Sequence, residues 1–230
     1  MGLTEKLAKS GIKVGIQGGL HSRIAAAKMM NEMTEKPSAE QCPNKLAIIA
    51  DFSGSMGGGS GSKLALLGEA VQDFAMRSDE STTAIAVESF PQGFRIELTN
   101  DKTSVWMRMF NLNTIGDTPM GSGMSTALEM VKPTRAMLIS DGEATDGDLS
   151  YEMAARYKER EIICDTVHIG ESTSGEARLK RIAEITGGIY MKFKDVATFS
   201  TSFHYLLPES RDAIAGMLPE QRSALLGNDE

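Results

Sequence analysis

Cysteine is scarce in this chain of 230 residues, where Cys42 and Cys164 make up the whole complement. A chain of this length needs no covalent staples, so a disulfide framework is not expected and both thiols read as buried or inert. Long apolar runs are also missing. No early segment joins a basic start to an apolar stretch of signal-peptide length, and none approaches the roughly 18 apolar residues of a membrane span. A soluble protein of a reducing, cytoplasmic compartment, without membrane attachment, is expected. Positive charge is in deficit: 24 Lys and Arg face 31 Asp and Glu, for a net charge of −7 and a pI near 5.1. Such a surface repels phosphate backbones, so nucleic acid is not an expected partner. Histidine is limited to His21, His168 and His204.

What is present is enough apolar material, 41% of residues, to bury one large core. Residues 1–44 are mildly basic, with six Lys or Arg, four Glu and no Asp. Leu20, Ile24, Ala27, Met30 and Met33 recur there at helical intervals, while Pro37 and Pro43 mark residues 34–44 as a linker. Residues 1–44 therefore read as an N-terminal extension, 45–207 as the main domain and 208–230 as a tail with a weak helix near 219–226.

In the main domain, short apolar runs alternate with helical periodicities. Leu46-Ala47-Ile48-Ile49-Ala50 has the composition of a parallel strand covered on both faces. Leu64, Leu67, Val71 and Phe74 then form one helical stripe over residues 63–77. Residues 82–90 and 93–99 flank Pro91-Gln92-Gly93, which predicts a hairpin and one antiparallel edge strand. A short helix is expected at 101–110, helices at 120–131, 148–161 and 176–186, and strands at 136–139, 162–169 and 188–193. Residues 195–207 would close the fold. The alternation predicts an α/β fold, Rossmann-like and doubly wound, with a mostly parallel sheet flanked by helices.

The chemistry sits where the first apolar run ends. Asp51-Phe52-Ser53-Gly54-Ser55 lies at the carboxyl end of a predicted strand, where open α/β sheets place their ligand crevice. If the backbone stays extended, Asp51, Ser53 and Ser55 point to one side. This Asp-x-Ser-x-Ser pattern resembles the metal-ion-dependent adhesion site of von Willebrand factor A domains. The resemblance continues in Gly116-Asp117-Thr118-Pro119-Met120-Gly121 and in Leu138-Ile139-Ser140-Asp141-Gly142, which match the family's second and third metal loops in order.

The resemblance implies a complete metal site of Asp51, Ser53, Ser55, Thr118 and Asp141. In it the three hydroxyls bind directly and the two carboxylates act largely through water. It implies Mg²⁺, with Mn²⁺ or Ca²⁺ as alternatives, since hard dications take oxygen ligands. It further implies a protein-recognition module without catalysis, whose metal takes an exposed Asp or Glu of a partner. Relatives acting beside AAA+ ATPases suggest an adaptor role. The alternative is a self-assembling subunit whose own Glu220, Asp229 or Glu230 reaches a neighbour's metal, so the oligomeric state stays open.

Other readings fit less well. Residues 54–63 form a glycine-rich loop between strand and helix, but Lys63 follows Ser62 and precedes Leu64, which misplaces both P-loop side chains. Asp141, Glu143, Thr145 and Glu152 approach calcium-loop spacing, yet Asp146 stands where glycine is required, so Glu143, Asp146 and Asp148 read as a solvated rim. Asp117, before Thr118, reads as a solvated turn residue. A metal-dependent hydrolase would need a base, and none of the three histidines is expected near the crevice. Most of the 15 methionines read as packing residues. Trp106, Met107, Met109 and Phe110 leave a partner patch open.

Overall fold

A computed structural model describes residues 37–57 and 60–193. The expected N-terminal helix, the closing segment at 195–207, the tail, and His21, His204, Glu220, Asp229 and Glu230 lie outside the described residues.

Among the described residues six strands form one sheet in the order β3-β2-β1-β4-β5-β6. They are β1 (Asn44–Asp51), β2 (Thr83–Phe90), β3 (Arg95–Thr99), β4 (Arg135–Ser140), β5 (Ile163–His168) and β6 (Tyr190–Lys192). Only the β2–β3 pair is antiparallel, and β3 lies at the edge, as the hairpin reading requires. Five helices fill the connections: α1 (Lys63–Arg77), α2 (Lys102–Arg108), α3 (Met120–Val131), α4 (Leu149–Glu159) and α5 (Thr173–Thr186).

The alternation of side chains along β1 divides the core. Leu46, Ile48 and Ala50 pack with Leu64, Leu67, Val71 and Phe74 of α1 and Val105 of α2. Ala47 and Ile49 face the other way, onto Met120, Met124 and Leu128 of α3, Met153 and Tyr157 of α4, and Leu179 of α5. A strand buried on both faces has to be apolar throughout, which explains the uninterrupted run at 46–50.

Helix starts follow their caps. The Ser62 hydroxyl accepts from Ala65 N, Asp101 from Thr103 N and Ser104 N, and Ser172 from Gly175 N. The Ser172 cap starts α5 at Thr173, ahead of the apolar periodicity that predicts residue 176. The stretch expected to be a linker is fastened to the sheet from residue 37 onward. Residues Ala39–Gln41 form a single 3-10 turn, Cys42 is buried, and Asn100 Nδ2 donates to the Pro37 carbonyl at 2.7 Å.

The strand order fixes where a ligand can sit. From β1 the chain moves to β2 on one side and later returns to β4 on the other, so a crevice opens beyond the carboxyl ends of β1 and β4. Asp51 is the last residue of β1 and Ser140 the last of β4.

Candidate metal centre

Asp51 is fully buried, and both its carboxylate oxygens accept hydrogen bonds. Ser53 N donates to Oδ1 at 2.8 Å, and Ser140 Oγ donates to Oδ2 at 2.5 Å. Phe52 and Met56, each 1% exposed, turn into the core and anchor the loop between them, while Phe52 also stacks on Phe94 at 5.1 Å. The backbone is extended only as far as Ser53. Gly54–Met56 then forms a 3-10 turn, so Ser55 is brought round by helical rotation and not by strand alternation. The two hydroxyls still meet, with Ser53 Oγ 3.0 Å from Ser55 Oγ.

Backbone hydrogen bonds stitch the second loop to the first and the third loop to the second. Ile115 N donates to the Phe52 carbonyl at 2.6 Å and Gly54 N to the Gly116 carbonyl at 3.0 Å. Gly116 adopts a φ of +55°, a left-handed value that glycine reaches without steric cost. Thr118 is buried, and its carbonyl accepts from Thr145 N of the third loop at 2.9 Å. Asp117 is exposed beside it, as expected of a turn residue. The third loop starts at Asp141, and Gly142 N donates to Ser140 Oγ at 2.9 Å, so one hydroxyl serves both loops.

Three side chains behave differently from their sequence reading. His168 was expected to lie away from the crevice. It ends β5 in register with Ser140, fully buried, and its Nε2 is 3.2 Å from the Asp141 carbonyl. Burial pushes its pKa below the ordinary histidine value. Asp146 is not part of a solvated rim: its Oδ2 accepts from Ser122 N at 3.0 Å in the first turn of α3, where a carboxylate complements the helix dipole. Glu143 and Asp148 are exposed, as that reading requires. Lys63, by sequence a misplaced P-loop residue, donates through Nζ to Asp141 Oδ2 at 3.2 Å.

Burial is the main influence raising the Asp51 carboxyl above its ordinary pKa. Hydrogen bonds from Ser140 and Ser53 pull it down, and the Asp141 charge pushes it up. Two buried carboxylates in one crevice form an arrangement that a dication relieves. No group of three or more His, Cys, Asp or Glu able to hold a metal occurs among the described residues. The donor set is instead two carboxylates with hydroxyls, which suits a hard ion. Adjacent ligands of an octahedral ion with metal–oxygen bonds of about 2.1 Å lie roughly 3.0 Å apart. The Ser53 and Ser55 hydroxyls, hydrogen-bonded to each other at 3.0 Å, are close enough to occupy adjacent positions of such an ion.

No known family profile matches the sequence, and neither does any curated protein. Solved structures do match. BatB of Bacteroides thetaiotaomicron superposes with a TM-score of 0.64 at 17% identity, over 74% of this chain and 99% of that one. The SpRpn10 VWA domain gives 0.54 at 14% identity, over 69% and 94%. The fold is that of a von Willebrand factor A domain. Proximal thread matrix protein 1 of the mussel byssus, solved with zinc in its metal-ion-dependent adhesion motif, gives 0.56 at 16% identity, over 74% of this chain and 45% of that one. At such identities the likeness covers the A-domain fold and not the ligand.

Proposed function

We propose that this A-domain fold is a metal-dependent protein-recognition module. Asp51, Ser53, Ser55, Thr118 and Asp141 would hold a dication, Mg²⁺ foremost and Mn²⁺ or Ca²⁺ as alternatives. The bound ion would supply an electrophilic position for an Asp or Glu of a partner. The observation that carries this reading is the convergence of three loops at the β1/β4 crevice, with the Ser53 and Ser55 hydroxyls 3.0 Å apart. An AAA+ ATPase is the partner class we favour, with the protein working in the cytoplasm. Assembly of copies through their own acidic residues is the competing outcome. Catalysis is not part of the proposal.

The test is calorimetric titration of the full chain with Mg²⁺ and Mn²⁺, comparing wild type with Asp51→Ala, alongside partner capture with and without chelator. Metal binding and capture should disappear together in the variant while circular dichroism stays unchanged. Unaltered metal affinity in Asp51→Ala would refute the assignment. Loss of an oligomer on chelation would favour self-assembly.

A further inference from the structure

Lys63 is the first residue of α1, where a cation meets the positive end of the helix dipole. The first turn of α1 holds no acidic residue to compensate it. Its side chain instead crosses to the third loop, where Nζ donates to Asp141 Oδ2 at 3.2 Å. The Asp141 side chain is 4% exposed and the Lys63 side chain 36%, so the ammonium covers the outer side of a buried carboxylate. Gly170, in the β5–α5 connection, leaves room for it: a Cβ there would lie 3.3 Å from Lys63 Nζ.

We propose that Lys63 is an internal counter-ion that competes with the dication for Asp141, so that metal binding displaces this side chain toward solvent. The inference rests on the metal reading above. Asp51 and Asp141 bring two negative charges into the crevice. The lysine offsets one and a dication offsets both, while the two cations held together repel at short range. A lysine stem is flexible and strongly hydrated at its tip, so a partly exposed one can move into water at small cost. The site thereby carries a cation at all times, and the metal must outcompete it.

Calorimetry with Mn²⁺ alone separates the possibilities, using the full chain as wild type, Lys63→Met and Lys63→Gln. Both variants should bind Mn²⁺ roughly fivefold more tightly, the gain from removing one partly exposed competing ion pair. A damaged site would not bind more tightly, so the sign distinguishes competition from a structural role. In wild type, titration with Mg²⁺ should shift one lysine ¹³Cε resonance that Lys63→Met lacks. Wild-type binding with equal or weaker affinity in both variants overturns this inference alone. No binding by any of the three proteins removes the metal reading, and the competition with it.

Discussion

The Ser140 hydroxyl, at the end of β4, donates to Asp51 Oδ2, at the end of β1, across 2.5 Å of buried crevice. The same oxygen accepts from Gly142 N at 2.9 Å, so a single side chain joins the first acidic position to the loop that carries the second. Removing it should be felt twice. Ser140→Ala leaves a buried carboxylate short of a donor, and a lost hydrogen bond to a charged group costs about 2 kcal/mol. The urea midpoint should fall accordingly with the cooperativity of unfolding retained. Mn²⁺ affinity should fall several-fold, because only the bond from Ser53 N then orients the Asp51 carboxylate. An unchanged midpoint and affinity would mean that Ser140 organises neither loop.

Gly142 offers a sharper steric test. Its φ is +83°, and a Cβ added there would run into the backbone of Gly175 at the start of α5. Gly175 cannot yield by a side-chain rotation, since all three contacting atoms are backbone. Gly142→Ala should therefore shift Asp141 and weaken Mn²⁺ binding at least about tenfold, with a stability loss of about 1–3 kcal/mol. Thermal unfolding and metal titration of the same sample check both parts. Normal metal affinity in a folded Gly142→Ala protein would show that the position of Asp141 does not set the site.

The fold was legible because its signals are local. A strand covered on both faces must be continuously apolar, as at 46–50, and a hairpin needs its turn residues, as at 91–93. The order and spacing of the three loops, by their resemblance to the A-domain metal loops, made Asp51, Ser53, Ser55, Thr118 and Asp141 the candidates without coordinates. What was not legible depends on contacts between distant residues. Lys63 meets a carboxylate 78 positions away and His168 a carbonyl 27 positions away. Neither the helix-start lysine nor the strand histidine differs locally from a packing or solvated residue. Asp146 likewise looks like one more acid on a polar loop until α3 is seen to begin beside it. Strand alternation would place Ser55 beside Ser53, but Gly54 within the 3-10 turn and Gly57 at its cap allow the backbone to coil first. The apolar character of residues 106–110 was visible, yet only packing separates Met109, 3% exposed, from Met107, 63% exposed.

At the other end of the sheet a buried ion pair gives a prediction that concerns stability and not the metal. Arg135, which opens β4, donates through Nε to Asp165 Oδ2 at 2.5 Å, with side chains only 8% and 0% exposed. Asp165 Oδ1 also accepts from Ile189 N at 2.8 Å, which holds the start of β6 to β5. Arg135 Nη2 is buried with no hydrogen-bond partner among the described residues, so the guanidinium already relies on this one carboxylate. Asp165→Ala would leave a buried cation uncompensated, at a cost of about 3–5 kcal/mol. The paired change Arg135→Met with Asp165→Leu removes both charges and should recover most of that loss, since an apolar pair of similar volume has no desolvation penalty. Urea denaturation of wild type, the single variant and the pair compares the three stabilities. Mn²⁺ affinity should stay at the wild-type value wherever the protein is folded, because the length of β4 separates Arg135 from Asp141. A single variant as stable as wild type would mean that water reaches the pair, and a double variant no better than the single would mean that Asp165 acts chiefly through Ile189.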